Sequence, residues 1–330
     1  MGASATDVNN LLVVGELCID LIIDIHGEIR FGQHEQFVQG TTMTMGSSSA
    51  ITACGAAALG VPTMLVSVRG DDTFGDFLAA ELNRRGVDAR GVRIDRSVPT
   101  GASTHLTRPD GDRAILTSMG SIGAVRADDV ADDVLERAAH VHVGSYFLQR
   151  ELQRDAASLF ARARANGATT SLDGNFDPAE KWDAGILEVL PQVDVFFGNE
   201  QELCGVTKTH DLGTAIARAL QRMPDGGMVV AKLGAKGAVV ARCVDGVIKR
   251  THASAPTLEG DLVDTVGAGD TLAAGFISAR LGGSGVAEAL ALAVACGTAS
   301  TRGAGGVGAQ PDRITAERIA ATVPVAHCAE

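Results

Sequence analysis

The most chemically suggestive stretch of the chain is Asp264-Thr265-Val266-Gly267-Ala268-Gly269-Asp270, followed by residues 271–280 and the stop Leu281-Gly282-Gly283. Leu272, Ala273, Phe276 and Ile277 recur at helical spacing, which predicts a helix starting near Gly269. The first turn of a helix has backbone N–H groups with no partner inside the helix, and glycines leave them open, so an anion site is expected there. Asp270 at that same end would repel a phosphate that only had to be held. It makes sense as a base beside an anion in transfer, or as a plain helix cap. A second acid, Asp20, follows the first apolar run in Gly15-Glu16-Leu17-Cys18-Ile19-Asp20-Leu21. Flanked by Ile19 and Leu21, its carboxylate is costly to bury unless it sits at a strand mouth or is paired, which leaves a ligand-facing and a structural role open.

Groups of this kind need a frame. Residues 11–14 form a short apolar run closed by Gly15, as a buried parallel strand does, and similar runs occupy 64–68, 140–143, 169–172, 193–197 and 228–231. Helical stretches at 76–85, 152–166 and 212–223 lie between them, each ending near Gly or Pro. The alternation predicts a doubly wound α/β sheet with helices on both faces. Two β-rich segments, about 22–44 and 99–118, break the pattern; the second contains the turn Pro109-Asp110-Gly111-Asp112. They predict hairpin excursions that form a small lid on one compact domain spanning residues 1–330. Residues 40–68 carry no Asp, Glu, Lys, Arg or His, long enough to span a bilayer, but Ser47-Ser48-Ser49 and Gly60-Val61-Pro62 divide them into a helix at about 48–59 and a strand at 64–68.

Composition narrows the function. Twenty-eight Lys and Arg against 40 Asp and Glu give a formal net charge of -12, which disfavours a nucleic-acid partner by long-range repulsion. The six cysteines (Cys18, Cys54, Cys204, Cys243, Cys296 and Cys328) form no C-x-x-C pair and read as small core residues in a reducing compartment. Residues 1–10 lack a basic region followed by an apolar run, so the cytoplasm is the expected location and no membrane partner is expected. There is no G-x-x-x-x-G-K-[ST] loop, and His34-Glu35 lacks the second histidine of a zinc-protease helix. Residues 303–308 fit G-x-G-x-x-G, but too little chain follows to complete a βαβ unit, so they read as a glycine-rich loop.

Asp264 to Asp270 resembles the D-T-x-G-A-G-D signature of the ribokinase/PfkB-like carbohydrate kinases. Three further segments agree: Asn199-Glu200-Gln201-Glu202 resembles the family's N-x-x-E, residues 232–238 its glycine turn over the nucleotide, and Gly70-Asp71-Asp72-Thr73-Phe74-Gly75 its G-D-D-x-F-G. The resemblance runs from about residue 11 to 310. It implies a ribokinase-like three-layer α/β/α sandwich with a small β-sheet lid, ATP and Mg²⁺ as cofactors, and phosphoryl transfer by positioning and electrostatics. Asp270 is then the base, and the N–H groups of Gly267, Ala268 and Gly269 the anion hole. Asn199 and Glu202 act on magnesium through water, Lys232, Gly234 and Gly237 lie at the nucleotide, and Asp20 holds two sugar hydroxyls. On the residues alone, Glu202 also reads as a surface helix residue and Lys232 as a solvated strand end. The family also implies potassium held through carbonyls near Asp264 and the 303–308 loop. Separately, a lid sheet with one apolar face needs covering, which predicts a homodimer through the lid, with Ile22, Ile23 and Ile25 and the strands of 99–118 pairing across a two-fold axis.

Two departures bear on the acceptor. The family's G-G-x-x-x-N reads Met45-Gly46-Ser47-Ser48-Ser49-Ala50, so an amide that usually meets the sugar is missing, although Gly46 and Ser47 can still approach it. Relatives acting on sugar acids carry D-x-N-x-R before a tryptophan; here Asp173, Asn175 and Trp182 are kept as in that pattern, with Asp173 and Asn175 read as hydroxyl-facing, while Asp177 replaces the arginine. As pocket residue or turn cap, Asp177 offers a carboxylate no counter-charge, so a neutral ribose- or fructose-like sugar is expected. Arg113 is the first candidate should an arginine come from elsewhere. A nucleoside kinase is the nearest alternative, disfavoured because only Phe31 and Phe37 in the lid segments could stack a base. A non-catalytic sugar or nucleotide sensor of the same fold is the other.

Overall fold

The computed structural model describes residues 10–109 and 112–329. The start of the chain and the centre of the 109–112 turn, both interpreted above, lie outside the described residues, as does the Cys328 side chain. The strands are β1 (Asn10–Val14), β2 (Cys18–Asp24), β3 (Gly40–Met45), β4 (Thr63–Arg69), β5 (Val92–Ile94), β6 (Gly101–Thr107), β7 (Arg113–Ser118), β8 (Ala138–Val143), β9 (Thr169–Asp173), β10 (Val195–Asn199), β11 (Met228–Lys232), β12 (Ala238–Val244), β13 (Val247–Ala253) and β14 (Val325–Ala329). Ten of them build one sheet in the order β14-β13-β12-β11-β10-β9-β8-β1-β4-β5; β3-β2-β6-β7 build a separate, smaller one.

In β1, Leu11 and Val13 enter one apolar core and Leu12 and Val14 the other. Alternate residues point to opposite faces, so a strand covered on both sides must be apolar throughout. The seven strands from β11 to β5 are parallel, whereas β12, β13 and β14 run antiparallel at one edge. The sequence reading did not anticipate that edge. The link from β11 to β12 is too short for a helical crossover, so its partner must be antiparallel. The next link is Asp245-Gly246, with φ of 53° and 78°, the two-residue turn that suits a hairpin.

The helix Ser48–Ala58 matches the expected one, and no helix among the described residues is long and apolar enough to cross a membrane. The helix Ala268–Leu281 is buried from Thr271 to Ala279. Its close approach to the helix Val286–Ser300 depends on Gly275, where a Cβ would come within 2.9 Å of the Ala293 Cα. Cys18, Cys54 and Cys296 are buried, but Cys204 is half-buried and Cys243 exposed, so the cysteines are not uniformly core; all five are free thiols.

The lid sheet starts earlier than expected. Strand β2 opens at Cys18, so Asp20 belongs to the lid and not to the mouth of β1. It lies opposite Ser103 on the parallel neighbour β6, and Ile22 lies opposite His105. One lid face looks onto the main body; on the other, Met43 and Leu116 are exposed.

Candidate active site

Parallel strands present their C-terminal ends on one edge, which is where α/β sheets bind ligands. Register places Phe197 against Asp173, and Asn199 against Lys232, so the last residues of β9, β10 and β11 meet there. The Lys232 ammonium lies 2.8 Å from Asp173 and 3.9 Å from Glu202. Burial alone would lower the pKa of Lys232, but Asp173, Glu202 and Asp270 around it raise it. Burial raises that of Glu202, with Lys232 opposing. Asn199 caps the helix Glu200–Thr207: its Oδ1 accepts from the Glu202 N–H at 2.9 Å, and Glu202 accepts from the Asn199 N–H at 2.8 Å. The capping box turns the Glu202 carboxylate inward toward Lys232. Glu202 is therefore not a surface residue, nor Lys232 a solvated strand end.

Next to this cluster begins the helix Ala268–Leu281, with Gly267 as its N-cap at φ 71°. A Cβ at Gly267 would lie 2.6 Å from the Gly306 Cα, so the 303–308 loop backs the turn and requires glycine there. The Thr271 N–H makes the first bond back into the helix, to the Gly267 carbonyl at 2.8 Å. Ala268, expected in the anion hole, already donates to the Thr265 carbonyl at 3.3 Å, which leaves Gly267, Gly269 and Asp270 at the open end. A Cβ on Gly269 would press on the Lys232 side chain at 3.2 Å, so the helix start and the ammonium are neighbours.

Asp270 accepts a hydrogen bond from the Ser48 hydroxyl at 2.7 Å. Burial pushes its pKa up to about 6, against the pull of Lys232; Asp173 and Glu16 add to the rise and Ser48 reduces it. Asp270 thus does not cap its helix with its side chain. It faces a cavity of about 1000 Å³ that also receives Asp20, Gly267, Asn175 and Ser47. A second cavity, about 420 Å³, opens beside Leu11 and Pro62 at the opposite end of β1 and β4 and holds none of these groups.

On the far wall Asp20 is 4% exposed. Gly46 makes room for it, since a Cβ there would fall 2.1 Å from the Asp20 carboxylate. The Ser47 hydroxyl donates to the Glu16 carbonyl, while Ser49 and Gln149 donate to the buried Glu16 carboxylate. Asn175 lines the cavity, its amide donating to the Ser145 hydroxyl at 3.0 Å.

Several sequence expectations need correction. Asp173 is 1% exposed and bound to Lys232, so it does not face a sugar. Asp177 lines the cavity but accepts from the N–H groups of Ala179, Lys181 and Trp182, and so is primarily a turn cap. Arg113 reaches Asp264 at 3.4 Å and is not on the cavity wall. The two Asp264 oxygens also accept from the N–H groups of Val266 and Gly305. Those bonds tie the Asp264 carboxylate to the turn before Gly267 and to the 303–308 loop. Gly234 (φ 58°) and Gly237 (φ 94°) form the turn after β11, where a Cβ on Gly237 would lie 2.0 Å from the Ala253 carbonyl. Phe31 and Phe37 are fully exposed outside the cavity; its aromatic residues are Phe147 and Phe176, which stack edge-on against Trp182. In the Gly70–Gly75 stretch, Asp72 caps the helix Thr73–Arg84 and accepts from the N–H and hydroxyl of Thr100, tying that helix to the lid base.

Ser48, Glu16 and His105 were missed from sequence. Ser48 had a readable signal, as a hydroxyl in the first turn of a helix next to Gly46. Glu16 and His105 had none, because their neighbours come from other strands.

Residues 8–313 match the model of the pfkB family carbohydrate kinases. The chain is 33% identical over 291 residues to an ATP-dependent ribose-1-phosphate kinase of Halopiger xanaduensis, covering 87% of this chain and 89% of that protein. It is 30% identical over 314 residues to a ribokinase of Arabidopsis thaliana, covering 92% and 79%. Among solved structures, an Arabidopsis thaliana ribokinase complexed with ribose and ATP superposes with a TM-score of 0.79 at 25% identity, covering 95% of this chain and 99% of that one. The apo form of a putative ribokinase II from E. coli shares the fold, with a TM-score of 0.82 over 96% and 100% of the two chains at 24% identity. A helix start with its aspartate beside a buried lysine, across a cavity from a lid acid, thus coincides with a match over nearly the whole chain: it belongs to the pfkB family of carbohydrate kinases.

Proposed function

We propose that this carbohydrate kinase moves the γ-phosphoryl group of ATP onto a hydroxyl of a small neutral sugar, ribose- or fructose-like, bound between Asp20 and Asp270. The observation that carries this reading is the position of Asp270, with the open N–H groups and Lys232 on one side and the acceptor cavity on the other. Asp270 takes the proton from the acceptor hydroxyl as its oxygen bonds to the γ-phosphorus. The bond from that phosphorus to the β–γ bridging oxygen breaks, and ADP leaves with the electron pair. With a pKa near 6, Asp270 is ionised at neutral pH and still a useful proton acceptor. The N–H groups at the helix start and the Lys232 ammonium stabilise the charge spreading over the phosphoryl oxygens. Asp173 and Glu202 hold that ammonium in place, and Gly234 and Gly237 shape the turn beside it for the nucleotide.

No cluster of three metal-ligating side chains occurs among the described residues. Magnesium would arrive with the nucleotide phosphates and keep most of its water. When bound it would neutralise phosphate charge, and Asn199 and Glu202 are the residues that would orient its waters.

A phosphorylated pentose is the second reading. Arg150 and Lys181 are exposed on the cavity wall, and neither side chain makes an ion pair among the described residues. Their charge suits a phosphate on the acceptor, the substrate class in the name of the Halopiger relative. A nucleoside is the third, with Phe147 and Phe176 as stacking surfaces. ADP release measured over ribose, fructose, ribose 1-phosphate, nucleosides and matched sugar acids tests all of them. A neutral sugar should give the highest kcat/KM, a preference for the phosphate would move the assignment to the second reading, and no turnover would leave a sensor.

The same reading takes residues 1–330 as one kinase domain in the cytoplasm and pairs two copies through the lid. Support for pairing comes from the exposed Met43 and Leu116 on the outer lid face; Ile25 is buried and cannot contribute. Light scattering at micromolar concentration should give twice the chain mass, and a monomer mass would end the dimer assignment.

A further inference from the structure

The inner face of the lid brings together side chains that are far apart in sequence. Alternation along β2 and β6 turns Cys18, Asp20, Ser103 and His105 to the same side, and all four line the acceptor cavity. Most of the polar groups there are satisfied within the protein: Ser103 and Thr117 share a hydrogen bond of 3.0 Å. His105 is the exception. It is 6% exposed, and neither of its ring nitrogens makes a hydrogen bond. Its Nε2 lies 3.3 Å from an Asp20 oxygen, close enough to feel the charge but not aligned as a bond. The other buried imidazole with an unpartnered nitrogen among the described residues, His142, lies inside the main sheet edge-on to Phe197 and does not line that cavity. Buried polar groups almost always have partners, and leaving one without is costly, so a lone imidazole on a ligand-cavity wall calls for a partner from the ligand.

We infer that His105 is an acceptor-recognition residue: its imidazole and the Asp20 carboxylate bracket one hydroxyl of the polyhydroxylated substrate. An oxygen placed about 2.8 Å from both would complete a triangle with the existing 3.3 Å edge. The hydroxyl would donate its proton to Asp20, which can only accept, and accept from the His105 N–H. A bond of that kind fixes which carbon carries the hydroxyl and on which side of the ring it points. Closing the lid would then depend on the acceptor's stereochemistry and not only on its volume. The inference rests on the sugar-kinase reading above and adds to it the residue that reads the substrate.

The test compares His105→Phe, which keeps the ring and removes both nitrogens, with His105→Gln, which restores a donor, in the full-length protein. His105→Phe should raise the acceptor KM by about tenfold or more, as expected for an unmatched buried hydrogen bond. It should leave the ATP KM unchanged and kcat within about threefold, and His105→Gln should recover part of the loss. Assays on a series of monodeoxy analogues of the best acceptor complete the test. For the one analogue lacking the bracketed hydroxyl, wild type and His105→Phe should have the same KM. An unchanged acceptor KM in a folded His105→Phe protein, or the same penalty on every deoxy analogue, would overturn the inference and leave the kinase assignment standing. If wild type phosphorylates no acceptor, the kinase assignment falls instead, and this inference with it.

Discussion

The two sheets treat charge in opposite ways. At the edge of the large sheet, Lys232, Asp173 and Glu202 are closed on one another with short, specific contacts, and the capping box of Asn199 holds the arrangement from below. On the lid, Asp20 and His105 are as deeply buried, but His105 has no hydrogen bond, and the lid's outer face leaves Met43 and Leu116 in solvent. A satisfied network between two packed cores is stiff, as a phosphate-holding platform needs to be. A thin sheet with unpaired groups on its inner face is completed by what it covers. The comparison teaches that reaction and recognition are assigned to separate sheets, so changes on the platform should act on kcat and changes on the lid on KM.

The largest effect that could break this division is at the base. Asp270→Asn should lower kcat by about 10²–10⁴ while the nucleotide dissociation constant stays nearly unchanged; unchanged turnover would remove Asp270 from the mechanism. Lys232→Met comes next. It leaves Asp173 and Glu202 buried without their counter-charge and should cost about 3–5 kcal/mol in chemical denaturation, the usual penalty for breaking a buried pair. A stability loss below about 1 kcal/mol would mean that the cluster is far better solvated than its geometry indicates.

Smaller effects sharpen the comparison. Glu202→Gln should raise the magnesium concentration needed for half-maximal rate several-fold, and more than it raises the acceptor KM; the reverse pattern would place Glu202 on the acceptor side. Ser48→Ala removes a donor that favours ionised Asp270. A base with a pKa near 6 loses activity as pH falls through that value, because its protonated form cannot accept. Without Ser48 that acid limb should move to higher pH, so the variant loses several-fold at pH 6 and little at pH 8. An acid limb that stays where it is in wild type would show that Ser48 only packs.

How far the site was legible in the sequence follows the distance between partners. Asp270 and its glycines lie within one turn of chain, so local helix chemistry was enough to propose both a base and an anion hole. The 48–58 helix and six of the seven parallel strands were readable because burial on two faces demands uninterrupted apolar runs; β5, the short half-exposed edge strand Val92-Arg93-Ile94, carried no such run. Asp245-Gly246 was an available hairpin signal for the antiparallel edge that was not used. Asp173 was misplaced for a different reason: it and Lys232 are 59 residues apart, and only the parallel register of β9, β10 and β11 makes them neighbours.

By itself, then, the sequence determined the elements whose causes are local: the strand–helix alternation, the glycine turn at Gly267, the helix carrying Asp270, and through the D-T-x-G-A-G-D string the family. Tertiary structure alone decided which charges share a space. It paired Lys232 with Asp173, committed Arg113 to Asp264, turned Asp177 into a cap and set His105 beside Asp20. The physical reason is that helix and strand propensities act over a few residues, whereas an ion pair or an unfilled hydrogen bond depends on strand order and register, which arise only when the two cores pack.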